Sequence, residues 1–363
     1  MKNVKNAMEK KMKEFEEANY VGYDFNEKQR AGSFFQKDNE ILLSKSLYEG
    51  IEILAIEEAI KKYPEVKEKY YGKGFEKISI DFEKETEGGY FIRVKKGVKV
   101  IFPIQVCLYL KKNNFKQKIH NIVVVEEKAE VYIITGCTNA KETENAYHLG
   151  ISEFFVHSGG FLNFTMIHSW KEDITVEPKG VTVVEKDGIF VSNYISLKPV
   201  KKITMYPCTI LEGENSKARF SSIIISYPNS YHDVGSKCIL ANKNTSAEII
   251  SRSVNYGGTV IARGHIKAIS PYVRGHLECR GLLLTQKGTI YAIPELETLY
   301  QDVDLTHEAA IGKIKKEEIE YLASRGIPEE EAQSLIIRGF INIEILGLPD
   351  IIEKEITKIL NKI

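Results

Sequence analysis

The chain has 363 residues, of which 50 are basic and 50 are acidic, so its formal net charge is zero. A chain without excess positive charge has no electrostatic basis for wrapping nucleic acid or coating an anionic membrane, which excludes both kinds of binder as leading interpretations. This length exceeds that of most single compact domains and predicts either two or three modules or one elongated, repetitive body.

The start of the chain carries no recognisable targeting signal. Residues 1–19 are rich in Lys and Glu and lack the apolar core of a signal peptide, and no uncharged stretch elsewhere approaches the about 20 residues that span a bilayer. The five cysteines are odd in number and widely spaced, which argues against a disulfide framework. We therefore expect a cytoplasmic protein with free thiols and no membrane partner.

Residues 1–77 predict a helical N-terminal region. Apolar residues recur there at helical spacing in two groups: Met8, Met12 and Phe15, and then Ile53, Ile56 and Ile60. Pro64 and the glycines at 72 and 74 interrupt this pattern and predict the end of the helical region shortly afterwards.

Residues 78–305 predict a β-rich core. Short β-branched runs follow one another, separated by Gly, Asn, Asp and Lys rather than by helix-length segments: residues 123–125, 131–134, 181–184, 222–225 and 259–261. Many short strands in succession are typical of a sandwich, a barrel or a β-solenoid. The adjacent apolar residues Ile249 and Ile250 break the alternation that a closed barrel needs, which favours the solenoid, although no strict short repeat is visible.

Residues 306–363 predict a C-terminal helical domain. A helix over residues 316–324 ends at Gly326, and Pro328 with three following glutamates opens a second helix. Near the end of the chain, isoleucines recur along one helix face: Ile352, Ile356, Ile359 and Ile363. Such a stripe must pack on another surface, which is either the β-rich core of the same chain or a partner protein.

Common nucleotide and metal motifs are absent from the sequence. The chain has no P-loop, so any ATP hydrolysis must come from a partner. The run from His307 to Ile311 begins like the zinc-protease motif His-Glu-x-x-His but lacks the second histidine, and His307 alone is more often structural than a ligand. Successive cysteines lie 30, 71, 30 and 41 residues apart, so any metal ligands must be assembled across the fold.

The cysteines differ in their local settings. Cys107 and Cys238 lie among aliphatic residues and are interpreted as small hydrophobic core residues. Cys137 follows a strong strand in a turn-like Gly-Cys-Thr-Asn-Ala stretch, where a thiol would be accessible, and both a structural and a functional role stay open. Cys279 precedes Arg280, and a neighbouring cation would stabilise a thiolate.

Linked sequence blocks form a specific signature along the chain. The most specific is Leu-Thr-His-Glu-Ala-Ala-Ile-Gly-Lys-Ile at residues 305–314, followed by residues 321–327, 330–332 and 338–340. Earlier blocks agree in order: residues 96–98, 136–137, 206–207, 211–216, 232–237 and 243–251. Together these blocks resemble the SufB/SufD family of the SUF iron–sulfur cluster assembly system, over roughly residues 90 to 350.

The resemblance implies a mainly β fold, a right-handed parallel β-helix (β-solenoid) flanked by N-terminal and C-terminal α-helical segments. With the boundaries above, this gives a helical region at 1–77, a β-helix core at 78–305 and a C-terminal helical domain at 306–363 that docks an ATPase. The implied partners are a SufC-like ABC ATPase, a like subunit in a homodimer or a SufB/SufD-type heterodimer, and a cysteine desulfurase or other sulfide source. No nucleic acid or membrane partner is expected.

The resemblance also implies which residues act. Cys137 matches the Gly-Cys cysteine that is linked to sulfur acceptance in SufB-like members, and Cys279 matches a late β-helix cysteine linked to cluster assembly. His307 and Glu308 correspond to the last two residues of a Glu-His-Glu run, and with Cys279 they are the expected metal ligands for a transient iron–sulfur cluster. Thr306 stands where the first carboxylate of that run would be.

The expected function is a scaffold, not an enzyme, for iron–sulfur cluster assembly and transfer. Mixed ligation by thiolate, imidazole and carboxylate, doubled across a dimer, would hold a cluster more loosely than four thiolates and would suit its release. Two alternatives stay open. One is a structural SufD-like subunit that binds no cluster, and the other is a β-helix polysaccharide lyase or hydrolase that uses Asp302 and Asp304 on one strand face.

Overall fold

The computed structural model describes residues 15–23 and 30–341. Strands account for 51% of the chain and helices for 14%, and the strands coil into a β-solenoid of about 8 turns with short helices at the termini, which confirms the mainly β prediction. No described helix is both long and apolar enough to cross a bilayer. Six residues of the predicted helical patterns lie outside the described residues: Met8, Met12, Ile352, Ile356, Ile359 and Ile363.

Two long sheets form the opposite walls of the solenoid. Sheet A contains, in spatial order, β2 (Glu40–Ser46), β1 (Gly32–Lys37), β5 (Ile104–Leu110), β7 (Glu130–Asn139), β9 (Phe161–Ser169), β12 (Ile189–Ser196), β15 (Lys217–Ser226), β17 (Ser246–Asn255), β19 (Val273–Leu283) and β21 (Val303–Gly312). Sheet B contains β3 (Ile51–Ala55), β4 (Tyr90–Val94), β6 (Lys116–Val125), β8 (Tyr147–Val156), β10 (Thr175–Val176), β11 (Lys179–Val184), β13 (Lys202–Met205), β14 (Cys208–Leu211), β16 (Tyr231–Leu240), β18 (Thr259–Ala268) and β20 (Thr289–Thr298).

Short helices flank this body at both ends. They are a 3-10 helix (Glu16–Val21), α1 (Ile56–Lys62), α2 (Pro64–Lys69), α3 (Lys73–Lys77), α4 (Lys316–Ser324) and α5 (Glu329–Ile341). α1 to α3 pack on the outer face of sheet B, where Ile56 and Val66 contact an apolar cluster. On the outer face of sheet A, the 3-10 helix and α5 share one apolar cluster, called here the shared outer patch: Val21, Ile134, Ile167, Ile195, Leu197, Ile223, Ile225, Val254, Leu282, Ile337 and Ile341.

Each solenoid turn uses about 30 residues, because parallel strand partners lie between 27 residues apart, for Val181 and Cys208, and 31 residues apart, for Cys137 and His168. Parallel pairing in register stacks equivalent side chains into columns, and successive residues of a strand alternate between the inner and outer face. At several corners an asparagine adopts a positive φ, as at Asn215 (62°) and Asn244 (59°), a conformation that asparagine tolerates better than most residues.

The two walls approach most closely in the last turns. A Cβ atom on Gly264 of β18 would lie 2.5 Å from Cδ1 of Leu277 in β19, and one on Gly281 would lie 2.9 Å from Cδ1 of Ile290. Only glycine fits at these positions without displacing the opposite wall. The core is therefore a dry layer between sheets A and B whose width depends on the size of the facing side chains.

Helices occur near the N-terminal end, but the wholly helical interpretation of residues 1–77 is wrong over residues 32–55. β1 and β2 pair antiparallel across a turn at Asp38, and β3 pairs antiparallel with β4. Ile51 and Ile53 are buried on alternate positions of β3, so their spacing is that of a strand. These strands close the first turn of the solenoid, which a helix could not do by hydrogen bonding.

The β-rich core also extends beyond residue 305, where the sequence predicted its end. β21 continues to Gly312, so His307 and Glu308 are strand residues that pair with β19. α4 and α5 then follow on either side of Gly326, which has a φ of 85° and ends the first helix as predicted. Through Ile337 and Ile341, α5 packs on the shared outer patch.

A buried carboxylate fixes the N-terminal helices to sheet B. Glu153 of β8 is fully buried and accepts hydrogen bonds from the backbone N–H groups of Gly72 (2.5 Å) and Gly74 (2.7 Å). His120 Nε2 lies 2.8 Å from the same carboxylate, and the His120 ring stacks on Tyr71 with centroids 4.1 Å apart. Charge-assisted hydrogen bonds of this kind, shielded from water, are among the strongest in proteins.

We predict that Glu153→Ala lowers the free energy of unfolding by about 3–5 kcal/mol, because two buried N–H groups and a buried imidazole lose their partner. Urea denaturation measures the change, and amide exchange at residues 72–78 should accelerate first. Glu172→Ala, at an exposed glutamate, is the control and should change the stability by less than about 0.5 kcal/mol. Equal stability of the two variants would contradict the account of this contact.

Candidate functional site

Cys137 lies in the middle of β7 on the inner face of sheet A, and its side chain is 1% exposed. The prediction of an accessible thiol in a turn is therefore wrong, because the Gly-Cys pair is strand rather than loop. Gly136 faces outward, where a Cβ atom would lie 2.6 Å from the Val21 carbonyl oxygen and 2.7 Å from Val21 Cβ. The glycine thus allows the 3-10 helix to pack directly over the strand that carries Cys137.

Three histidines that the sequence interpretation did not single out lie near Cys137. His168 is its parallel partner on β9, and His148 and His232 come from β8 and β16 of the opposite wall. Burial lowers the pKa of His148 and of His232 to about 4, and burial with these two imidazoles holds the pKa of His168 well below its usual range. The 31-residue separation of Cys137 and His168 would have revealed the pair only with the coil length known.

Cys279 lies on the inner face of β19 and is 1% exposed. Burial raises the pKa of the Cys279 thiol to about 11, and the charge of Arg252 partly offsets this effect. Arg280, the cation expected from the sequence, instead points to the outer face, where its Nε lies 2.6 Å from Glu278. The expected cation effect therefore comes from Arg252, one solenoid turn earlier in the chain.

The structure separates the three expected metal ligands onto two faces. Cys279 pairs with Ala309 and Leu277 with His307, so strand alternation places His307 on the inner face, diagonal to Cys279. Glu308 lies on the outer face with its Oε2 3.5 Å from Arg280 Nη2. Thr306 is on that outer face too, where its hydroxyl lies 2.8 Å from His276 Nδ1.

His307 is exposed because β21 is the edge of sheet A, and no described strand covers it. β20 is likewise at an edge of sheet B, so the last turn presents two free strand edges. Among the described residues, no three His, Cys, Asp or Glu side chains lie close enough to hold a metal ion. One subunit therefore offers a thiol and an imidazole on one face, which is an incomplete ligand set.

An internal cavity of about 70 Å³ lies between the levels of the two inner thiols. It extends from Met166 and Tyr194 along the inner column to Ser222 and Ser251, and Ser251 is the parallel partner of Cys279. The facing wall of sheet B contributes small residues: Ser152, Gly180, Pro207 and Ser236. A cavity of this size holds small molecules, and the serine hydroxyls give it polar contacts.

All five cysteines are free and buried, in agreement with the absence of a disulfide framework. Cys107 packs among Phe15, Tyr23 and Tyr109, and Cys238 packs in the inner core, as interpreted from their aliphatic surroundings. Burial raises the pKa of both thiols.

A family profile described as the SufBD core domain of SUF system FeS cluster assembly matches residues 108–340. A protein of Archaeoglobus fulgidus named iron–sulfur cluster assembly SufBD family protein is 46% identical over 342 residues, which is 93% of this chain and 92% of its own. This chain belongs to the SufB/SufD family. A SufBD family protein of Methanothermobacter thermautotrophicus is 40% identical over 353 residues, covering 94% and 85% of the two chains.

The Bacillus subtilis iron–sulfur cluster assembly protein SufB is also similar, with 36% identity over 258 residues that cover 70% of this chain and 55% of the relative. Family membership confirms the resemblance found in the sequence and supports a role in iron–sulfur cluster assembly. The SufB/SufD chain described here differs from a simple exposed-thiol scaffold because both candidate cysteines face the interior.

We predict that Gly136→Ala destabilises the protein by about 1–3 kcal/mol, because the new methyl group overlaps Val21 where the backbone leaves no space. Thermal denaturation measures the effect. The matched control is Gly339→Ala in α5, where a Cβ atom meets nothing within 4 Å and alanine should stabilise the helix by about 0.5–1 kcal/mol. Shifts of the same sign in both variants would contradict the packing described for Gly136.

Proposed function

We propose that this SufB/SufD-family chain is the scaffold subunit on which an iron–sulfur cluster is assembled and from which it is transferred. The observation that carries the proposal is the placement of Cys279 and His307 on one face of the last solenoid turn, beside two free strand edges. A thiolate and an imidazole are ligands that iron accepts, and together they bind less firmly than four thiolates.

A second like subunit would complete the ligand set. Free strand edges are surfaces at which another chain can pair, and a two-fold axis there would bring two copies of Cys279 and His307 together. A role of Glu308 as a third ligand requires this second subunit, because within one chain it lies on the opposite face from Cys279. We propose a homodimer, with a SufB/SufD-type heterodimer as the alternative assembly.

We further propose that a SufC-like ABC ATPase docks on the C-terminal helices and supplies ATP hydrolysis, since the chain itself has no P-loop. α4 has no buried residue, and the ring of Tyr321 on this helix is 60% exposed. An exposed helix with an aromatic side chain is suited to a partner surface. Because Cys279 is buried, cluster assembly needs the last turn to open, and movement of the attached helices would drive that opening.

We propose that Cys137 accepts sulfur from a cysteine desulfurase or another sulfide source, in a cytoplasmic setting that keeps thiols reduced. Its burial below the 3-10 helix means that the donor is either a small molecule or a protein that displaces this helix. The cluster is cargo that is built and handed on, so the chain is a scaffold rather than an enzyme.

The alternative is a structural SufD-like subunit that binds no cluster. It is favoured by Thr306, which replaces a carboxylate, and by the incomplete ligand set within the described part of one chain. A cluster bound by the purified chain alone would exclude this alternative.

We predict that anaerobic reconstitution with iron and sulfide yields a coloured cluster on the wild-type dimer, little or none on Cys279→Ala, and a cluster that chelators remove faster on His307→Ala. Visible absorbance and the iron and sulfide content per dimer are the measurements. Cys238→Ala, at an equally buried cysteine, is the control and should retain the cluster. A colourless wild type would favour the SufD-like alternative, and full cluster content in Cys279→Ala would contradict the ligand assignment.

A further inference from the structure

A buried imidazole stands beside Cys137 on the inner face of sheet A. Cys137 and His168 are parallel partners on adjacent strands, so their side chains leave backbones about 4.8 Å apart in the same direction. The two side chains are 1% and 2% exposed. The fold thus places a thiol and an imidazole at neighbouring positions that are closed to bulk water.

One ring nitrogen of His168 is unused. Its Nδ1 lies 3.1 Å from the Tyr194 hydroxyl, whereas Nε2 is buried with no hydrogen-bond partner among the described residues. With the proton on Nδ1, the ring donates to the Tyr194 oxygen and leaves the Nε2 lone pair free to accept a proton. Ser196 forms a hydrogen bond with Tyr194 in turn, which fixes the phenol.

The other titratable groups that face His168 are His148 from β8, Tyr194 from β12 and His232 from β16. No carboxylate is among them in the described part of the chain, and the two neighbouring imidazoles are neutral because burial lowers the pKa of each to about 4. His168 is therefore a neutral base at and above neutral pH, since its pKa lies well below its ordinary value.

We propose that His168 is the general base that removes the proton of Cys137 during sulfur acceptance, with Tyr194 as the positioning residue that orients the ring. A buried thiol requires such a base, because burial raises its pKa far above neutrality and leaves almost no thiolate. Proton transfer to an adjacent imidazole produces two opposite charges whose attraction at low dielectric offsets the cost of burying either one alone. The inference rests on the proposed role of Cys137 as the sulfur acceptor.

The step balances with a persulfide as the only co-reactant. The Cys137 thiol gives its proton to His168 Nε2 while its sulfur attacks the outer sulfur of a donor R–S–SH. A new S–S bond forms at Cys137, the S–S bond of the donor breaks, and the leaving thiolate takes the proton back from His168. The products are a Cys137 persulfide and R–SH, without net oxidation or reduction.

The internal cavity gives a small donor a path to this pair. It is lined by Met166 and Tyr194, which lie two residues along their strands from the His168 level and in the column next to Cys137. A small reagent can therefore reach the thiol through the interior, and the reactivity of Cys137 is measurable without a partner protein.

The test is the pH dependence of Cys137 modification by methyl methanethiosulfonate, followed at each cysteine by peptide mass spectrometry of the full chain. With His168 as base, the rate at Cys137 is nearly constant between about pH 6.5 and 8.5, because the imidazole is neutral throughout. In His168→Gln the rate at low pH falls about 100-fold and then rises about tenfold per pH unit, as for a thiol that ionises by itself. The internal comparison is Cys238, which is also buried and whose parallel neighbours are Thr209 and Ile266.

Tyr194→Phe keeps the ring volume but removes the partner of Nδ1, and it should slow Cys137 by a smaller factor without changing Cys238. This variant keeps the test decisive if His168→Gln folds poorly, and circular dichroism monitors both. A tenfold rise per pH unit in the wild type, or a rate at Cys137 that neither variant changes, would overturn the assignment of His168.

A second readout separates this inference from the function on which it rests. Wild-type protein is incubated with inorganic disulfide, Na2S2, and persulfide at Cys137 is measured by mass. A Cys137 persulfide with an ordinary thiol pH profile would refute the base but keep sulfur acceptance. A flat profile without any persulfide would keep the base and refute sulfur acceptance.

Discussion

The parallel, in-register pairing of successive solenoid turns determines most of what this molecule can do. Once strands about 30 residues apart are stacked, each residue has a fixed face and a fixed neighbour above and below it. This constraint brings His168 to Cys137, places His307 on the face of Cys279 and sends Glu308 to the other side. The chemistry of the site is thus a consequence of register rather than of any local motif.

The same constraint hides the reactive groups. An inner-face thiol is surrounded by the opposite wall, and burial raises the pKa of Cys279 to about 11. A scaffold built in this way is inert until a part of it moves. The shared outer patch offers one mechanical link, because it holds the 3-10 helix above the Cys137 strand and also α5, the helix after the proposed ATPase-docking segment. Displacement of either helix would weaken the packing of the other.

Much of the fold followed from the sequence, because β-branched runs, missing helix-length segments and the linked blocks around residues 305–314 all indicated a family β-solenoid. The N-terminal strands were missed because a three-residue spacing such as Ile53 to Ile56 fits a helix as well as a strand that ends in one. The burial of Cys137 and the contribution of Arg252 could not be predicted, because the offset between turns varies from 27 to 31 residues and the register is invisible without it.

The central claim is that Cys279 and His307, on one face of the last turn, bind the cluster. The most direct test is pulsed electron paramagnetic resonance on the chemically reduced cluster of the reconstituted dimer, with histidine labelled with nitrogen-15. The account predicts a strong coupling to a coordinated imidazole nitrogen that disappears in His307→Ala. A spectrum without imidazole coupling, or one that His307→Ala leaves unchanged, would contradict it.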